Sequence, residues 1–201
     1  MTQESTQDRP APGALERLAA ALGPESQGRR GPPPVERWNP AYCGEIPMRI
    51  AADGTWHYNG SPIGRPALVR LFASILRRDP DGRIVLVTPV ERVGIEVEDA
   101  PFLAVEMAVE GEGEDRAIAF RTNVDDVVAL DAEHTLRFAR DRDGGFKPYL
   151  HVRHGLWALV TRALVYDLVE LCETREEDGT AWFGLAAGGR FHRIMPAADL
   201  S

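Results

Sequence analysis

The sequence predicts an α+β fold: two related β-β-α-β halves from an internal duplication, preceded by a flexible N-terminal tail. Three observations predict it. Short alternating runs are closed by the turn dipeptides Asp53-Gly54, Asn59-Gly60, Asp81-Gly82, Asp143-Gly144 and Asp178-Gly179. Two segments carry apolar residues at helical spacing. The landmarks also recur in one order, Gly54 with Gly144, Gly64 with Gly155 and Gly82 with Gly179, with similar helix openings at Gly64-Arg-Pro-Ala67-Leu68-Val69 and Gly155-Leu-Trp-Ala158-Leu159-Val160.

Residues 1–35 read as the tail, because Gly23-Pro24, Gly28 and Gly31-Pro32-Pro33-Pro34 surround one short amphipathic piece, Leu15, Leu18, Ala19 and Leu22. The first half, 36–98, starts with strands at Met48–Ala52 and Thr55–Tyr58. Pro66 suits a first helical position, where its missing N–H costs nothing. Leu68, Leu71, Phe72, Ile75 and Leu76 then line one helix face, and Ile84–Val87 reads as a buried strand.

The second half, 99–196, opens on a long hairpin. Pro101–Val109 is one strand, Glu110–Asp115 the acidic tip and Arg116–Thr122 the return. A tip centred near residue 112 or 113 puts Phe102, Ala104 and Glu106 on one face with Ala119, Arg121 and Asn123, with Glu106 diagonal to Arg121. Asn123–Asp126 caps a short turn. Strands at Leu136–Arg140 and Pro148–Arg153 follow, then a helix opened by Gly155 and apolar nearly all round, with Asp167 inside its stripe. Thr180–Ala186 and Phe191–Met195 are closing strands, and 197–201 is a second tail.

The 201 residues carry 23 basic and 31 acidic side chains, a net charge of −8. That field steers the chain toward neither nucleic acid nor anionic membrane. The longest apolar stretch, Leu156–Cys172, contains Arg162, Asp167 and Glu170 and cannot cross a bilayer cheaply, so a cytoplasmic protein is expected. Phosphate loops, dinucleotide fingerprints and serine-nucleophile elbows are absent. His151 and His154 lack further ligands at metal spacing, Asp141-x-Asp143-Gly144 lacks the distal half of a calcium loop, and Cys43 reads as a packing residue. No catalytic residue, metal or cofactor is assigned.

Alternation supplies the binding candidates. Tyr149, His151 and Arg153 share one face of their strand, a ring, an imidazole and a guanidinium suited to stacking a base and holding a phosphate. Arg121-Thr122-Asn123 ends another strand with three donors, and Thr88-Pro89 with Glu91 makes a third rim. The first two have plainer readings: for the first, a solvated strand face or Tyr149 packing with Arg153 bonded to a carboxylate, and for the second, a cross-strand ion pair.

The strings Glu36-Arg-Trp-Asn-Pro40, Met48-Arg49-Ile50, Asp53-Gly54-Thr55-Trp56, Thr88-Pro89-Val90-Glu91, Val97-Glu-Asp-Ala-Pro-Phe102, Phe120-Arg-Thr-Asn123 and Pro148–Arg153 together resemble a bacterial family, domain of unknown function 1285, from about Glu36 to Met195. The resemblance implies a duplicated α+β fold whose C-terminal half is superficially like a pleckstrin-homology domain. It also implies a signalling role, with a nucleotide-like ligand between the halves. Carried onto this chain, the ligand residues are Thr88, Glu91, Phe120, Arg121, Thr122, Asn123, Tyr149, His151 and Arg153. The expectation is a non-catalytic sensor of a small anionic ligand, open to a protein signalling partner. Two alternatives stand beside it: a hydrolase acting on a phosphoester or nucleotide with His151 as acid/base, aided by Glu91 or Asp167, and a protein interaction module.

Overall fold

The computed structural model describes residues 33–140 and 145–200, so the expectations for residues 1–32, Asp141-x-Asp143-Gly144 and Ser201 lie outside the described residues. Among the described residues two six-stranded sheets dominate, accompanied by two α-helices and one three-stranded sheet.

The first sheet contains β1 (Tyr42–Ile50), β2 (Trp56–Tyr58), β3 (Ser61–Pro62), β4 (Leu76–Arg78), β5 (Ile84–Val87) and β6 (Arg92–Val97), in the order β3-β2-β1-β6-β5-β4. Helix α1 (Pro66–Ser74) connects β3 to β4. The second sheet contains β7 (Phe102–Glu110), β8 (Ala117–Thr122), β9 (Val127–Ala129), β10 (Leu136–Arg140), β11 (Phe146–Arg153) and β12 (Leu156–Val160), in the order β10-β11-β12-β7-β8-β9. Read from β9, this is the order of the first sheet. In each, the first and last strands, β1 with β6 and β7 with β12, form the one parallel pair and every other neighbour is antiparallel. The repeat is therefore a pair of three-stranded meanders, and Leu76, opening β4, corresponds to Leu136, opening β10.

This corrects the expected β-β-α-β unit. The two helices are not equivalent: α1 lies inside its sheet's chain order, whereas α2 (Arg162–Glu170) follows the last strand of the second sheet. Gly155 opens no helix. It turns β11 into β12, and Leu156, Ala158 and Val160 are buried on alternate positions between β11 and β7. Apolar residues at nearly every position fit period 2 as well as 3.6, and pairing on both edges selects the strand. The helix that remains buries only Leu168 fully, and Asp167 is exposed, not embedded in an apolar stripe.

A further strand, β13 (Glu173–Glu177), pairs with β14 (Thr180–Ala187), which pairs with β15 (Arg190–Pro196). The described turn dipeptides, Asp53-Gly54, Asn59-Gly60, Asp81-Gly82 and Asp178-Gly179, lie in turns. Asn59 and Gly60 both take positive φ, +50° and +77°, in the two-residue connection of β2 to β3.

The long hairpin has its expected strands but not its expected faces. A bulge between Ala104 and Glu106 sets Glu106 directly opposite Arg121 and turns it to the outside, while Phe102 and Ala104 are wholly buried. Phe102 and Ala104 therefore face away from Arg121. One contiguous core runs through both sheets, including Met48, Ile50, Trp56, Phe72 and Leu86 from the first and Phe102, Phe120, Leu150 and Ala158 from the second. Val35, assigned to the tail by sequence, belongs to this core, and its carbonyl accepts from Arg77 Nη1 at 2.9 Å. Cys43 is exposed, not packed.

Candidate functional site: a polar cleft between the two sheets

The nine residues singled out by sequence occupy three places. Thr88 and Thr122 are buried and perform the same local task. Thr88 Oγ1 accepts from the amides of Val90 and Glu91 at 3.3 and 3.1 Å, and Thr122 Oγ1 accepts from those of Val124 and Asp126 at 3.3 and 3.1 Å. Each hydroxyl satisfies turn amides that would otherwise lack partners. Phe120 is core. Glu91 is half-buried at the first of these turns.

The second place gathers Arg121, Asn123 and Arg153 around the Thr122–Asp126 turn. Arg121 makes a two-pronged ion pair with Glu106 and donates to Asp125 at 2.9 Å. Asn123 behaves as an extra strand residue, donating its amide to the Leu103 carbonyl at 2.9 Å and accepting the Leu103 amide on Oδ1 at 3.0 Å. Arg153 pairs with Asp126, donates to the Ala73 carbonyl at 3.0 Å and lies over the Phe102 ring. These arginines already meet carboxylates, and both tie structure together: Arg153 reaches from the second sheet to the last turn of α1.

Tyr149 and His151 lie elsewhere, in a stack across β10, β11 and β12. Tyr149 is buried and its hydroxyl donates to Asp99 at 2.7 Å. Arg137, its register partner, lies 4.9 Å from the Tyr149 ring centre and 4.4 Å from that of Trp157. Trp157 meets His151, and His151 stacks on His134. His151 Nδ1 faces the Glu133 carbonyl at 2.8 Å, and neither Glu91 nor Asp167 is among its hydrogen-bond partners.

This stack borders a cleft of about 210 Å³ where the halves meet. Arg78 at the end of β4 lines it from the first sheet, and Arg137 and Trp157 line it from the second. Asp99 and Pro101, on the segment joining the sheets, form its back. The Arg78 amide also bonds the His154 carbonyl at 3.4 Å, holding the cleft walls together. Most arginines at the junction are ion-paired. Arg78 and Arg137 form no salt bridge among the described residues, and both are exposed.

The Asp99 charge is already committed. Burial alone would raise its carboxyl, but the Lys147 ammonium and the Tyr149 hydroxyl outweigh burial and hold it below the usual carboxylate range. Tyr149 is displaced upward, by burial first and by the same carboxylate second. The cleft thus presents two guanidiniums outside any salt bridge, Arg78 and Arg137, the second lying over the Trp157 indole and adding to the field that lowers Asp99. A larger cavity of about 390 Å³ lies beside α2, but its cations are engaged, Lys147 by Asp99 and Arg162 by Tyr166. Among the described residues no cluster of three or more His, Cys, Asp or Glu side chains is arranged to hold a metal ion. No described helix is long and apolar enough to cross a membrane.

Sequence reasoning missed Arg78, Asp99, Arg137 and Trp157. The signal for two of them was available: pairing the strands around Asp143-Gly144 sets Arg137 opposite Tyr149, and the next hairpin sets Trp157 opposite His151.

Two repeated sheets sharing one core, with a polar cleft at their junction, define a duplicated two-sheet α+β protein. The chain belongs to the DUF1285 family. "Domain of unknown function (DUF1285), N-terminal domain" matches residues 33–100, and "Protein of unknown function (DUF1285), C-terminal domain" matches 101–194. A crystal structure of a DUF1285 family protein from Silicibacter pomeroyi DSS-3 is 46% identical, covers 94% of this chain and 98% of its own, and superposes with a TM-score of 0.83. Another, from Shewanella baltica OS155, is 30% identical over 62% of this chain and 91% of its own, with a TM-score of 0.50. No curated protein matches the chain.

Proposed function

We propose that the protein is a non-catalytic cytoplasmic sensor, and that it binds a small anionic, nucleotide-like ligand in the cleft between its halves. The anionic group sits between Arg78 and Arg137, and a planar group lies along Trp157. One observation carries this reading: two guanidiniums from different halves line one cleft outside any salt bridge among the described residues, in a protein whose net charge is −8. Arginine suits phosphate and carboxylate through paired N–H donors.

Size shapes the proposal. Pockets that enclose a whole drug-sized ligand run from about 300 to 1,000 Å³, more than this cleft holds. The cleft accommodates the charged group, and the remainder extends over the His134–His151–Trp157 stack. Of the residues proposed from sequence, His151 then belongs to that surface, Tyr149 acts from beneath it, and Arg153 acts by holding the halves in place. The pleckstrin-homology-like character of residues 99–196 belongs to the same reading, and a ligand-dependent protein contact is how such a sensor reports.

Calorimetry with a panel of nucleotides and small phosphates tests this. A saturable heat for at least one compound, lost in Arg78→Met and in Arg137→Met while both variants stay folded, supports it. No heat across the panel overturns it, and turnover of a phosphoester abolished by His151→Ala establishes the hydrolase instead.

A further inference from the structure

A second cavity, of about 230 Å³, lies at another contact between the halves and shares no lining residue with the cleft. Its walls include Gly54, Thr55 and Trp56 from the β1–β2 hairpin, Val69 and Arg70 from the middle of α1, and Asn123 from the second half. Several side-chain donors there are only partly used. Trp56 is 2% exposed, and its indole N–H is buried without an acceptor. Asn123 spends Oδ1 on Leu103, leaving its amide nitrogen turned toward Gly54. Helix α1 begins without a side-chain cap and without an acidic residue in its first turn.

The charges are arranged the same way. Arg65 stands at the N-cap position, where the helix dipole disfavours a cation and favours an anion, and Arg70 is the fifth of the nine helical residues. The nearby carboxylates are in use. Asp53 accepts from the Thr55 amide at 2.9 Å and from its hydroxyl, which hold its carboxyl below the usual range. Asp125 takes one nitrogen of Arg70 at 3.1 Å and one of Arg121 at 2.9 Å, leaving the other Arg70 donors unspent. A buried N–H without an acceptor is costly, and an oxyanion accepts from several donors at once.

We infer that this cavity is a second anion site, which takes a small oxyanion of the phosphate class between Arg70, the Asn123 amide and the Trp56 indole N–H. It stands apart from the cleft and from the ligand proposed there. Occupation would add a bridge between the halves, since Arg70 and Trp56 belong to the first and Asn123 to the second.

The four tryptophans, Trp38, Trp56, Trp157 and Trp182, allow a direct test by proton–nitrogen NMR of the indole signals in the full chain. Trp56→Phe identifies one signal and Trp157→Phe another. Inorganic phosphate is titrated against chloride at matched ionic strength. The expected result is a saturable shift of the Trp56 signal, retained in Arg78→Met and lost in Arg70→Met, with weaker binding in Arg70→Lys. An unmoved Trp56 signal, or one that moves equally in Arg70→Met, overturns the inference. A shift confined to Trp157 also overturns it while supporting the cleft, so the two sites fail or succeed separately.

Discussion

Arg153 on β11 and Ala73 in the last turn of α1 are joined across the two halves by a 3.0 Å hydrogen bond from guanidinium to main-chain carbonyl. The same guanidinium pairs with Asp126 and covers the face of Phe102. A carbonyl near a helix C-terminus carries partial negative charge, so a cation suits this place.

Arg153→Met therefore acts on stability. It leaves the Ala73 carbonyl and the Asp126 carboxylate without their partner, and the expected loss is about 1–3 kcal/mol. Urea denaturation checks this. A variant as stable as the parent would remove the latch role and return Arg153 to the list of ligand residues.

Thr122 tests the turn hydroxyl. Thr122→Val keeps the shape and strands two amides, for an expected cost of about 1–3 kcal/mol. Thr122→Ser retains the acceptor and loses one methyl group, about 0.8 kcal/mol. Thermal unfolding should rank parent, Ser and Val in that order, and the reverse order for the two variants would show that packing outweighs the hydrogen bonds.

Gly54 takes φ of +81°, and a Cβ there would lie 2.8 Å from the Asn123 amide nitrogen and 2.9 Å from Leu103 Cδ1. Gly54→Ala combines left-handed strain with a collision at the contact between halves. The expected cost is at least about 1–3 kcal/mol from the backbone alone. Denaturation of the variant measures it, and an unchanged midpoint would mean that the halves separate there readily.

Asp99 sets a pH dependence. Its carboxyl is held below its unfolded value, so the stabilisation it provides is complete above that value, near pH 4, and fades as pH falls through the lower folded value. Asp99→Asn should be less stable than the parent at neutral pH and approach it in acid. Parallel curves of melting temperature against pH for the two proteins would contradict this.

The legibility of the sequence varied with the locality of the interaction. Turns were readable because Asn59-Gly60 and Asp81-Gly82 determine their own backbone. The Glu106–Arg121 pair followed from the hairpin, although the bulge that set them directly opposite had no marker in composition. The segment Leu156–Val160 was misread because its apolar run satisfies both periods, and only its neighbours β7 and β11, both non-local, make it a strand. The repeat was sensed but aligned on the helices, the elements that do not repeat. For the site, single-strand alternation placed Tyr149 and His151 near the cleft but gave no view of Arg78, which arrives from the other sheet.

A six-stranded sheet with one greasy face is an incomplete object: exposed, it clings to whatever matches it, and the readiest match is a second copy. Joining two copies in one polypeptide encloses what was an external contact and releases the two sides from identity. The two family models meet between residues 100 and 101, and severing the chain there should yield two sticky fragments, each lacking the face that covered it.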